Sequence, residues 1–136
     1  MGFVVDASVA LKWFLADEDD RASSIALLKT ISDSNRPSVP SLWFLEIGNA
    51  LTVAARRKRI PFEQVEEILR TIRQMPIDVD PPDQVDLLGL HHLARKHALT
   101  TYDAAYLDLA IRKNFPLATA DAALRKAALT ERVALI

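Results

Sequence analysis

A three-layer α/β/α domain around a central, mainly parallel sheet of about five strands is the fold this sequence predicts. Two observations predict it. The strand-like segments are short and apolar at consecutive positions instead of alternating, as strands covered on both faces are. Segments of helical period separate them, giving the order β-α-α-β-α-α-β-α-α-β-α-β without repeats or low-complexity tracts. Crossovers in such sheets are right-handed, and ligand chemistry gathers beyond the carboxyl ends of the strands.

The first strand is Phe3–Val5, closed by Asp6, with a helix starting from Ala7 or Ser8. The second is the short stretch "SV" at 38–39; Ser41 then occupies the N-cap position of a long helix through "LWFLEIGNALTVAARRKR". Pro61 breaks that helix from the next, where Val65, Ile68, Leu69 and Ile72 keep the i, i+3, i+4, i+7 spacing. Further strands are predicted at 77–79, 116–118 and 133–136.

The chain of 136 residues, half of them hydrophobic, suits one domain over 1–136 with a sizeable core. No apolar run reaches membrane-spanning length and no charged-then-apolar leader is visible, so the expectation is an intracellular, cytoplasmic protein. Without cysteine, disulfides, zinc-thiolate sites and thiol catalysis are excluded. Three glycines, Gly2, Gly48 and Gly89, provide no phosphate-binding loop. The net charge of −1 does not announce a nucleic-acid binder, but acids crowd at 16–20 and 78–86 while bases crowd into "ARRKR" at 55–59.

Four acids hold the chemical interest. Asp6, Asp103 and Asp121 each read, taken singly, as helix caps; Thr100 and Asp103 even have the spacing of a capping box. Glu46 is different, because it interrupts the apolar surface of Leu42, Trp43, Leu45, Ile47 and Ala50, with Asn49 one turn on. Asp6 and Asp121 directly follow strands, so both belong at the edge where ligands gather. If the Glu46 helix crosses that edge, four carboxylates converge. Together they cannot remain ionised without a cation, since each raises the proton affinity of the others. Oxygen ligands without Cys or a placed His select Mg²⁺ or Mn²⁺, and carboxylate-bound metal pairs about 4 Å apart serve in-line attack on phosphodiesters.

These residues resemble the PIN-domain family, and within it the VapC-type toxins. The matching blocks are "VVDASVALKW" with Asp6, "PSLWFLEIGNAL" with Glu46 and Asn49, "LTTYDAAYLDLA" with Asp103, and "LATADAAL" with Thr119 and Asp121. They follow the family's order over nearly the whole chain, whose length fits a stand-alone toxin. The resemblance implies an Mg²⁺- or Mn²⁺-dependent endoribonuclease with Asp6, Glu46, Asp103 and Asp121 as its catalytic and metal-binding acids. It implies supporting roles for Ser8, Asn49 and Thr119, a homodimer, and a VapB-like antitoxin that wraps a groove near the site and inserts an arginine among the acids. Asp108 departs from the family's helix pattern, where an uncharged residue would be more natural.

Arg56, Arg57, Lys58 and Arg59 read either as a solvated helix end or as a phosphate rail for RNA, with Lys12, Arg112 and Lys113 as possible support. Trp13, Phe14, Trp43 and Phe44 fit a core or a partner groove better than base stacking. His91, His92 and His97 lack zinc-site spacing and read as surface or structural. A phosphoreceiver would want adjacent acids after the first strand, and an aspartyl phosphatase a second Asp where Ser8 stands. The rival from another class is a non-catalytic PIN-like interaction module.

Overall fold

The computed structural model describes residues 1–136. Four parallel strands, β1 (Gly2–Val5), β2 (Arg36–Pro40), β3 (Asp78–Asp80) and β4 (Leu117–Ala118), form one sheet in the order β3-β2-β1-β4. Seven α-helices connect them: α1 (Ala7–Phe14), α2 (Arg21–Leu28), α3 (Leu42–Arg56), α4 (Phe62–Gln74), α5 (Leu87–His97), α6 (Thr101–Lys113) and α7 (Ala122–Thr130). The expected fifth strand is reduced to one parallel bridge, Leu117 to Leu135, supported by the Leu117 N–H on the Ala134 carbonyl at 2.8 Å. It extends the sheet beyond β4 without a run of its own.

All four residues of β1 are buried, which requires cover on both faces of the sheet and accounts for its unbroken apolar sequence. Phe3, Val4, Val5, Val39, Trp43, Ile47, Leu107, Leu109 and Leu117 belong to the main core. Leu90, Ala94, Ala104 and Ala105 form a satellite between α5 and α6. Trp13 and Trp43 are core residues as expected, and the Trp13 Nε1–H donates to the Ser24 carbonyl at 2.8 Å. Phe44 is instead 38 % exposed. No helix is long and apolar enough to cross a membrane.

Helix ends refine the sequence reading. Thr100 and Asp121 cap α6 and α7 through their side chains, accepting from the N–H groups of Asp103 and Leu124 at 3.1 and 2.8 Å. Ser41 does not cap α3: its backbone is already helical (φ −59°, ψ −28°), where the hydroxyl cannot turn onto the N–H groups of the first turn. Asp6 occupies the N-cap position of α1 but makes no side-chain cap bond. Its carboxylate is engaged elsewhere.

At the edge of the sheet, Asp80 is buried and held by Arg112 from α6, with Nη2 donating to Oδ2 at 2.6 Å and Nη1 to Oδ1 at 3.2 Å. The same guanidinium donates from Nε to Asp108 at 2.8 Å. Arg112 is therefore committed to two carboxylates and does not support a phosphate rail. Asp108, the residue outside the family pattern, serves this clamp.

Candidate active site

The parallel register builds the site. Val5 pairs with Ala118, so β1 and β4 end side by side, and the Asp6 N–H continues their ladder onto the Ala118 carbonyl at 2.9 Å. The residues that leave these two strands, Asp6 on one side and Thr119 to Asp121 on the other, therefore meet at the same edge. A helix that leads into a parallel strand starts at the carboxyl edge, which places Asp103, in the first turn of α6, beside them. The helix α3 leaves the carboxyl end of β2 and carries Glu46 in its second turn.

Asp6 is the buried centre, only 6 % exposed. Its Oδ2 accepts from the Ser8 hydroxyl at 3.0 Å and from the Thr119 hydroxyl at 2.7 Å. Each hydroxyl in turn accepts a backbone N–H, from Ala120 onto Ser8 at 3.2 Å and from Asp121 onto Thr119 at 3.1 Å. With those lone pairs engaged, both hydroxyl protons are directed at Asp6. The arrangement fixes the carboxylate's rotation and leaves Oδ1 without a protein donor.

Glu46 is held from the other side. The Tyr106 hydroxyl donates to its Oε1 at 2.5 Å, and Tyr106 is completely buried. Burial raises the Glu46 carboxyl above its ordinary range; the Tyr106 hydrogen bond opposes the rise, and the charges of Asp6 and Asp103 add to it. Burial also raises Asp103, with Asp6 and then Asp121 contributing. Burial and the hydrogen bond to Glu46 push the Tyr106 phenol up, so it keeps its proton as a donor. The four acids thus form one electrostatic group. Its donors are all oxygens, the set suited to a hard divalent cation. No three of them stand close enough to share an ion as the side chains lie. Field, not contact, joins them.

Asp121 caps α7, and the same carboxylate raises Asp103. Asn49 is exposed and shares with Glu46, Leu42, Leu45 and Tyr102 a cavity of about 340 Å³, without bonding the acids. The basic run lies away from this edge. Arg56 is ten residues beyond Glu46 on α3, about 15 Å at the helical rise. Arg59 is clamped on Asp17 at 2.8 Å and Glu18 at 3.3 Å. His97 is structural, with Nε2 2.6 Å from Glu131. The residue missed from sequence is Tyr106. Its one signal was its place three residues after Asp103 in "YDAAYL", on a helix face otherwise made of Ala and Leu.

A family model described as the PIN domain matches residues 3–129. No curated protein matches the chain. Among solved structures, PAE2754 from Pyrobaculum aerophilum is 26 % identical with a TM-score of 0.68, over 93 % of this chain and 79 % of that one. VapC20 from Mycobacterium tuberculosis, described as a sarcin-ricin loop cleaving toxin, is 13 % identical with a TM-score of 0.69, covering 92 % of this chain and 94 % of that one. VapBC2 from Rickettsia felis, bound to a DNA fragment from its promoter, is 15 % identical with a TM-score of 0.66, over 100 % of this chain and 98 % of that one. At 13 and 15 % identity the likeness is one of fold.

Proposed function

The chain belongs to the PIN-domain family, and from that premise we propose that it is a divalent-metal-dependent endoribonuclease acting as the toxin of a toxin–antitoxin pair. The observation that carries the reading is the convergence of the acids on one edge: Asp6 raises both Glu46 and Asp103, and Asp121 raises Asp103. Four carboxylates from separate elements, brought to one strand edge with no lysine or arginine bonded to any of them, call for a cation. Asp6, through its free Oδ1, Asp103 and Asp121 would hold Mg²⁺ or Mn²⁺, with Glu46 completing the set. When bound, such an ion lowers the pKa of water and offsets charge on a phosphoryl oxygen.

The protein's own groups do the rest. Ser8 and Thr119 hold Asp6 in one rotamer, so its free oxygen keeps a fixed direction. Tyr106 holds Glu46 by one oxygen and leaves the other to accept a proton. That second oxygen is the one Glu46 can offer to an attacking water. RNA as the substrate rests on the VapC-type resemblance, supported by the fold shared with an RNA-cleaving toxin. The basic residues Arg56, Arg57 and Lys58 would serve only a strand long enough to reach the far end of α3.

A VapB-like antitoxin and a second copy of the chain are the proposed partners. Supporting a partner near the acids, Leu45 is 77 % and Tyr102 65 % exposed, and both line the Glu46 cavity. The deciding test is cleavage of structured RNAs with Mg²⁺ or Mn²⁺. Wild type should cleave, while chelator or Asp6→Asn should abolish cleavage. A chain inert on every RNA offered, or an equally active Asp6→Asn, would leave the interaction-module reading in place.

A further inference from the structure

A cavity of about 160 Å³ lies beside the acidic edge, bounded by α1, α2, the end of β4 and α7. Its polar lining is Lys12, Arg125, Ser23, Ser24, Asp20 and Thr119. Thr119 belongs to both places, because its hydroxyl bonds Asp6 while its carbonyl accepts from Arg125 Nη1 at 3.1 Å. Arg36, Arg59, Arg70, Lys96 and Arg112 are all paired with carboxylates. Lys12 and Arg125, like most of the other bases, form no ion pair.

We infer that this cavity is a phosphate subsite, holding a backbone phosphodiester of the nucleic-acid strand adjacent to the one presented to the acids; the inference rests on the nuclease reading above. Four carboxylates at a strand edge repel a polyanion, so the strand needs cations close by to be held there. The basic run is too distant for that task, whereas Lys12 and Arg125 line a cavity shared with Thr119, whose hydroxyl bonds Asp6. Arg125 uses one N–H on Thr119 and retains its other donors for phosphate oxygens. Room is adequate, since about 150 Å³ admits a benzene ring. Thr119 then couples the two functions: the residue that fixes Asp6 also anchors the guanidinium that would register the strand.

The test uses a fluorescein-labelled, random-sequence single-stranded RNA of about 12 nucleotides, within the span such grooves cover. Binding to the full chain is followed by anisotropy in EDTA across a salt range, and KM for the same RNA is measured in Mn²⁺. Lys12→Gln and Arg125→Gln should each weaken binding and raise KM about fivefold, lowering the salt slope by about 0.7. Arg125→Lys should recover part of the loss. Lys126→Gln removes an exposed cation that faces a different cavity, and it should change both readouts less. A Lys126→Gln loss equal to that of Arg125→Gln would reduce the effect to bulk charge and overturn the subsite. Unchanged binding and KM in both subsite variants, with wild type cleaving, would overturn it while sparing the nuclease reading. A wild-type chain that neither binds nor cleaves the RNA would overturn both.

Discussion

Asp6 and Glu46 show how single residues are tuned by what holds them. Asp6 is fixed by two hydroxyls that are themselves fixed by backbone N–H groups, so its direction is set by a relay two hydrogen bonds deep. Glu46 depends on one donor, the Tyr106 phenol. That bond lowers the Glu46 proton affinity against the stronger effect of burial. In Tyr106→Phe the ring volume remains and the opposing bond is lost, so Glu46 rises further and is protonated over a wider acidic range. The acid limb of the cleavage–pH profile should move to higher pH. At a hydrogen-bond value of about 1.5 kcal/mol, activity on that limb should fall by up to about tenfold, with a smaller loss on the alkaline side. A uniform loss at all pH values would show that Tyr106 acts only through packing. Asp6, Ser8, Glu46 and Thr119 were all visible in the sequence as members of short motifs. Tyr106 was not, because its partner lies 60 positions away and a tyrosine among core alanines and leucines carries no local mark of polarity.

Among the elements, those whose cause is local were legible. Strand β1 announced itself by an unbroken apolar run and α4 by its period, and Pro61 lies at the start of α4 as its chemistry requires. The predicted fifth strand contracted to the Leu135 bridge, since it has only β4 to pair with and β4 itself is two residues long. The Asp80–Arg112 clamp was hidden for a different reason: nothing local tells which of several acids near Asp78 to Asp86 will be buried. This clamp ties α6 to β3, the edge strand. Arg112→Ala would leave the Asp80 carboxylate buried without a cation, and breaking such pairs costs about 3 kcal/mol or more. Urea denaturation should show a loss near that size. A change under about 0.5 kcal/mol, the usual effect of a surface substitution, would mean Asp80 gains water instead.

For the whole molecule, the acidic edge costs stability near neutral pH. Glu46 and Asp103 have folded proton affinities raised above their ordinary values of 4.5 and 3.8. In the window just above those values the native state binds more protons than the unfolded chain, so its stability falls as pH rises through it. Below the window both states are protonated and the penalty vanishes. Asp103→Asn removes one contributor, so in EDTA its Tm should gain on wild type as pH is raised from about 4 to about 7. Added Mg²⁺ should stabilise wild type more than the variant and close the gap. An unchanging Tm difference across that range would contradict the coupling.

The central claim is that the carboxylates gathered at the ends of β1 and β4 are a divalent-cation site. Calorimetric titration of Mn²⁺ into the metal-free chain tests it without reference to any substrate. Saturable binding by wild type, lost in Asp6→Asn while the fold remains intact by circular dichroism, is the predicted result. Absence of saturable binding in wild type, or equal binding by Asp6→Asn, would contradict it.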